Sequence, residues 1–575
     1  MKRIPFKRNK IFIILLSLLG LSICIAAFFP HVRHIIIEMI SFIAQRKISM
    51  YEHWYKAIFS YAMGGIFFIL LLNYCILTTS GKELVHKVKK EIKDCLSEID
   101  FHDFLKPVLI MFGIYLLGTL TIIRANFLYF DDIGRSAAGY RTWYGTSRYV
   151  TDFLSLFIHP EINLTDISPV TLLLAILILS VSSVLLVYIL CDKKINLSGL
   201  IASVPLGLSP YFLECLSYKF DAPYMALSIF ASIVPFLFIA RRKAFIFCSV
   251  VFLLVMCMTY QATSGAYLLI AITLCFQNWN CREKKSKEIL YFFGITIFSF
   301  CIAMLLFKFF LMRDIDVEPY PLIQLLLGML NNVKNYALII NNDFGIIWKT
   351  GIFLVALFFI TKSVYTSKQK KIYSLLISIL ILALTFILSL GTYLILSNLG
   401  FYARNLLGFG IFLAIISIYV ISNYKKFASV VVIALSWCFL VFSLSYGNAL
   451  ADQERYANFR ISILLHDLSN LYPEAGRDKM TIQIKNSIDY TPVVKNIAKH
   501  NRAIERLVPK RLDENQCWDY LYFLEHFNFY KYNTAHIPAN RKFENFNTMN
   551  LSVVLDSYYH TIKSDGYRIL VVLKH

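Results

Sequence analysis

The chain has 575 residues, 58% of them hydrophobic, 15% aromatic and only 16% charged, with a formal net charge of +21. Soluble domains carry roughly a quarter charged residues, so this balance excludes an ordinary soluble globular protein. The positive charge does not point to nucleic acid either. It is confined to short segments between apolar runs, such as "GKELVHKVKKEIK", "ARRK" and "NCREKKSKE", where lysine and arginine hold loops on the cytoplasmic side of a membrane.

In chain order, the apolar runs predict spanning helices near 11–29, 57–77, 105–124, 169–190, 198–215, 223–240, 244–260, 262–279, 289–311, 346–364, 372–394, 406–422 and 428–447. Each is about long enough to cross ~30 Å of hydrocarbon. Backbone groups in lipid must pair within their own segment, so continuous apolar runs mean helices, whereas barrel strands would alternate. The first run, "IFIILLSLLGLSICIAAFF", exceeds the roughly 7–15 residues of a signal-peptide core and reads as a retained helix. The expected fold is a polytopic α-helical membrane protein of about 11–13 spans over residues 1–447, with a small C-terminal α/β domain over residues 448–575. In that tail "RYANFRISILLHDLSNLY" has the spacing of an amphipathic helix, while "MTIQI", "LSVVL" and "YRILVVL" read as short strands. With every basic cluster inside, the N-terminus is cytoplasmic and the tail lies outside. Cys517 is the only cysteine of that tail, so no disulfide framework is expected there.

Unusual polar residues gather on the expected outer face. Asp131 and Asp132 are followed by Arg135, Arg141 and Arg148, with Tyr140, Trp143 and Tyr144 interleaved; Glu214, Lys219 and Asp221 lie between the fifth and sixth spans. Tyr260 and Gln261 fall at the next outer turn, the segments "RDIDVEPY" and "NNVKNY" in a long loop over 312–345, and Arg404 at the start of the twelfth span. Ionisable groups at a membrane boundary are costly and more often functional than incidental. Bland readings exist for several: an Asp–Arg helix pair, arginines anchored at headgroups, a Lys219–Asp221 salt bridge, an interhelical hydrogen bond from Gln261, and an aromatic belt.

Taken together, these groups suit transfer of a sugar from a lipid phosphate. A carboxylate accepts the proton of an attacking hydroxyl, guanidinium and ammonium groups neutralise a departing phosphate, and aromatic faces hold sugars. No P-loop, dinucleotide glycine pattern or HExxH occurs, so nucleotide or zincin chemistry has no support. No cofactor is expected, and a divalent ion bridging the carboxylate pair has no histidine cluster behind it.

The motifs "YFDDIGRSAAGYRTWYG", "YKFDAPYM", "TYQATSGAY" and "ARNLLG", in this order, resemble the serotype-converting O-antigen glucosyltransferases of bacteria and their phages, the type II Gtr-like group; the tail beginning "GNALADQERYANFR" shares the resemblance. The resemblance implies a GT-C type transferase of the bacterial inner membrane. Its donor would be an undecaprenyl-phosphate sugar, usually glucose, and its acceptor an O-antigen or other lipid-linked glycan. It also implies an essential acidic residue in the first large outer loop, which falls on Asp132 or Asp131. The reaction expected is an inverting single displacement with one aspartate as base, Asp132 ahead of Asp131. Arg135, Arg141, Tyr144, Lys219, Asp221, Gln261 and Arg404 would bind substrate, with Arg141, Lys219 and Arg404 assigned to the phosphate. An O-antigen polymerase and a flippase of lipid-linked sugars are the alternative readings.

Overall fold

The computed structural model describes residues 78–282, 284–312, 318–397, 399–422, 426–472, 480–515 and 549–574, together with Phe523, Leu524, His526, Phe527 and Phe529. The expected spans at 11–29 and 57–77, and Cys517, lie outside the described residues. The protein is a polytopic helical membrane protein carrying a small C-terminal sheet. Seven described helices are long and apolar enough to cross a membrane, beginning with His102–Ala125 and ending with Phe427–Leu471.

The expected span at 198–215 is a bent pair, Leu197–Leu208 and Pro210–Ser217, meeting at 60°. The break is written locally: Ser209 precedes Pro210, a position that disfavours the helical region, and it takes an extended backbone with ψ of 145°. The next three expected spans form helices shorter than eighteen residues, Ala222–Ile233 continued by a 3₁₀ turn to Phe238, Arg242–Cys257 and Ser264–Asn280.

Side-chain contacts define two ends of this helical layer. At one end the amphipathic Thr79–Ser97 helix meets the connections between spans. Glu98 pairs with Lys193 at 3.2 Å and with Arg241 at 3.9 Å, Glu91 accepts from the Ala244 amide, and Arg282 pairs with Asp192. At the other end lie the polar motifs.

Two departures from the sequence reading bear on that second end. The segment 312–345 is no plain loop, because Leu325–Asp343 is a helix that contains "NNVKNY". The amphipathic helix expected in the tail is also not separate: Lys426–Leu471 runs unbroken for 46 residues from the last span outwards, through the expected boundary at 447/448. Beyond it a four-stranded sheet forms in the order β1-β4-β3-β2, with β1 Thr481–Lys485, β2 Ser552–Asp556, β3 His560–Ser564 and β4 Arg568–Leu573. β1 pairs parallel to β4 and the other neighbours are antiparallel. Ile482, Ile484, Ile562, Ile569 and Val571 pack from it onto Ala457, Ile461, Leu464 and Leu468 of the long helix. Between β1 and β2 the chain returns to the helical layer, where Ile504, Leu507 and Val508 join the main apolar core.

Candidate functional site

The "DDIGRSAA" stretch forms an eight-residue helix, Asp131–Ala138, closed by Gly139 at φ +64° in the left-handed region that glycine favours. Its entry is strained. Phe130 has φ +41°, a conformation a bulky residue adopts only when its surroundings enforce it. The enforcing contacts are aromatic: Tyr129 lies edge-on to Phe130 at 4.9 Å and to Tyr218 at 4.9 Å.

Helix geometry then separates the two aspartates. Asp131 faces outwards, with its side chain 63% exposed and a carboxylate oxygen 3.8 Å from Arg135. Asp132 is fully buried and accepts from the backbone amides of Lys219 at 2.9 Å, Tyr129 at 3.3 Å and Phe220 at 3.5 Å. Burial pushes its carboxyl up to about 8, against the pull of the Lys219 amide, with the neighbouring Asp221 charge adding to the rise. Asp132 thus fastens the Tyr218–Asp221 loop to the short helix.

One turn along, Arg135 is buried, donates to Asp221 and stacks 4.5 Å above the Trp143 ring. Asp221 also accepts from Trp143 Nε1 at 2.7 Å and lies 3.5 Å from Arg148. Arg148 in turn sits 4.8 Å over Tyr260, whose hydroxyl reaches Asn405 at 3.3 Å and the Arg404 carbonyl at 3.4 Å. Arg404 donates to Tyr218, and its amide donates to buried Glu214 at 2.7 Å. Tyr218 leads back to Lys219 and Asp132, so the contacts close a ring. The start of the Arg404 span is held by close backbone approach, since a methyl on Gly408 would overlap the Ser389 carbonyl.

The structure therefore brings together Asp131, Asp132, Arg135, Asp221 and Arg404, and adds Glu214, Trp143, Arg148, Tyr218 and Tyr260. Gln261 is adjacent, donating to the Thr146 carbonyl at 3.3 Å, and thereby joins the turn carrying half-exposed Tyr144 to the turn carrying Tyr260. Two expected phosphate ligands face elsewhere. Arg141 is taken up by Asp152 on the Tyr149–Ile158 helix, its Nη2 lying 3.3 Å from the carboxylate. Lys219 turns its ammonium to Asn126 at 2.6 Å and Asp166 at 2.9 Å, in a separate cleft of about 210 Å³. Arg148 takes their place: it is 20% exposed, and its Nε has no hydrogen-bond partner among the described residues. Among those residues no group of three or more His, Cys, Asp or Glu side chains converges.

A strap from the C-terminal region closes one side of the ring. Arg506 donates to buried Asp343 at 3.0 Å and to the Phe401 carbonyl at 3.3 Å, Leu507 accepts from the Tyr129 hydroxyl at 2.6 Å, and Arg511 donates to the Leu128 carbonyl at 2.6 Å. The sequence reading missed Asp343, Arg506 and Arg511. "NNDFG" and "IERLVPKRL" carry no motif, and only the contacts they make beside the ring in the fold mark them.

Charged groups ringed by aromatic faces at one end of a bundle of apolar helices are the arrangement of a membrane enzyme with a polar substrate. The chain belongs to the glucosyl transferase GtrII family, whose model matches residues 120–421, just over half of the protein. Every residue of the ring falls inside that match, so the protein is a glycosyltransferase; the strap falls outside it. A protein of Salmonella phage P22, described as an uncharacterized 55.3 kDa protein in the gtrB 5' region, is 23% identical over 433 residues, covering 71% of this chain and 87% of that one. No solved structure matches the chain.

Proposed function

We propose that this glycosyltransferase moves a hexose, glucose by family, from undecaprenyl phosphate to an O-antigen or related lipid-linked glycan, on the periplasmic face of the bacterial inner membrane. Asp131 is the base. Its exposed carboxylate takes the proton of the acceptor hydroxyl as that oxygen bonds to the anomeric carbon. The bond from the anomeric carbon to the phosphate oxygen breaks, polyprenyl phosphate departs with the electron pair, and the configuration inverts. Arg404 and Arg148, 27% and 20% exposed, receive the phosphate; guanidinium forks match its oxygens and neutralise the charge that develops there. Asp132 and Asp221 hold the ring in shape, and a GT-C type architecture suits a donor that arrives laterally from the lipid.

The observation that carries this reading is the placing of one exposed carboxylate and two partly exposed guanidinium groups on a single ring at the end of the spans. Its test is transfer of labelled glucose from synthetic polyprenyl-phosphate glucose by the reconstituted protein. Asp131→Asn removes the base with almost no change of shape and should slow transfer by about 10²–10⁴-fold while the protein still inserts and accumulates. Wild-type transfer by that variant would exclude Asp131 as base.

A further inference from the structure

A second feature stands apart from the ring. A cleft of about 660 Å³ opens where the Leu325–Asp343 and Ile346–Thr366 helices meet, against the long Lys426–Leu471 helix and the end of the Pro492–His500 helix. Trp348, Trp437 and Phe442 line its wall, and Lys349, Lys499 and Arg502 stand on its rim. Trp437 is exposed on a spanning helix, so the wall opens towards hydrocarbon. The rim is at headgroup depth, because Lys349 sits in the first turn of the Ile346–Thr366 span, at the same end as the ring.

Three properties of the rim call for an anion. Among the described residues lining the cleft none is acidic, and none of the three cations pairs with a described carboxylate. A lysine in the first turn of a helix opposes the helix dipole, and the Gly345 cap supplies no side-chain acceptor there. Nor is this charge needed for orientation, since the basic clusters of the span connections lie at the opposite end. Trp348 and Phe442 are buried in the core behind the cleft, but Trp437 stands exposed, and a free anion would use the rim while leaving that indole uncovered. A phosphate-headed lipid uses both, with its chain running down the wall from a headgroup held by cations.

We infer that this cleft binds a phosphate-bearing membrane lipid, with its headgroup between Lys349, Lys499 and Arg502 and its chain against the exposed Trp437. The site is separate from the ring, and its test involves no sugar transfer, so either reading can fail without the other. The purified full-length protein in neutral detergent is mixed with phosphatidylglycerol, with diacylglycerol or with inorganic phosphate. Bound lipid is read by native mass spectrometry and stabilisation by thermal melting. Phosphatidylglycerol should be retained and raise Tm, and diacylglycerol should do neither. Replacing the three exposed or half-exposed cations together (Lys349→Gln, Lys499→Gln, Arg502→Gln) should lower phosphatidylglycerol occupancy by about tenfold or more, given the attraction each basic residue contributes near an anionic lipid. Trp437→Ala, which keeps the rim, should also lower it. Equal occupancy in the wild type and in both variants would overturn the site. Stabilisation by inorganic phosphate as strong as by phosphatidylglycerol would overturn the lipid as its occupant.

Discussion

Asp131 and Asp132 are neighbours separated by about 100° around a helix, and that rotation gives them different surroundings. One carboxylate meets solvent; the other is fully buried against three backbone amides. The buried one should reveal itself through pH. Its carboxyl is pushed up to about 8 in the folded protein, from the ordinary carboxylate value of 3.8. Between those values the folded chain holds a proton that the unfolded chain releases, so this group's contribution to stability is complete below the ordinary value and is lost as pH rises through about 8. Melting of the wild type should therefore fall between about pH 5 and about pH 8 more steeply than that of Asp132→Asn, which cannot ionise. Parallel melting curves in detergent across this range would show that Asp132 does not titrate there. The same substitution leaves the Lys219 amide an acceptor but turns an amide nitrogen towards its neighbours, so it should also cost about 1–3 kcal/mol at low pH. Asp131→Asn, by contrast, should impair transfer and leave melting alone.

Among the elements, the strap from Ala503 to Arg511 has the furthest reach. Arg506 ties it to the loop before Arg404, and Leu507 and Arg511 tie it to the loop before Asp131. It therefore acts as a positioning element for both walls of the ring. Arg506→Ala removes charge-assisted bonds of roughly 1–3 kcal/mol and should lower transfer by about tenfold or more. Arg506→Lys, which keeps the charge on Asp343 but not the forked geometry, should recover part of it. If the alanine variant inserts normally and transfers at the wild-type rate, the strap is only structural. The strap also marks how far sequence could carry the reading. Apolar runs of about twenty residues made the spans legible, and their polar ends made most of the ring legible, because lipid punishes stray charge. What escaped was long-range. The sequence could not tell that Lys219 would turn to Asp166, that Arg141 would be claimed by Asp152 eleven residues on, or that Arg506 would fold back onto Asp343. β3 escaped for a different reason: "HTIKS" has a single large apolar residue, and it is a strand because β2 and β4 flank it.

For the whole molecule the question is how many times the chain crosses between its two ends. Among the described residues, helices both long and apolar enough to cross, with the bent pair as one span, number eight. An even number between Lys89 and Asn515 would put both on one side of the membrane. The contacts argue for more. From Asp221 at the ring the chain reaches Arg241, which meets Glu98 at the far end; it returns to Tyr260, over which Arg148 sits, and leaves again for Arg282, which pairs with Asp192. The three short helices thus each run the full depth of the layer, although none has eighteen residues. Burial by neighbouring helices, which is nearly complete for Ala222–Ile233, lets a short helix cross where lipid alone would need a longer one. Adding these three runs makes eleven, and an odd number separates Lys89 from Asn515. The basic residues agree, since those of the Thr79–Ser97 helix and of the span connections share the Glu98 end, the expected cytoplasmic side. Reporter domains inserted after Lys89 and after Asn515 should accordingly report the cytoplasm and the periplasm. If both report the same side, the short helices do not cross, and the ring cannot meet an acceptor presented from outside the cell membrane.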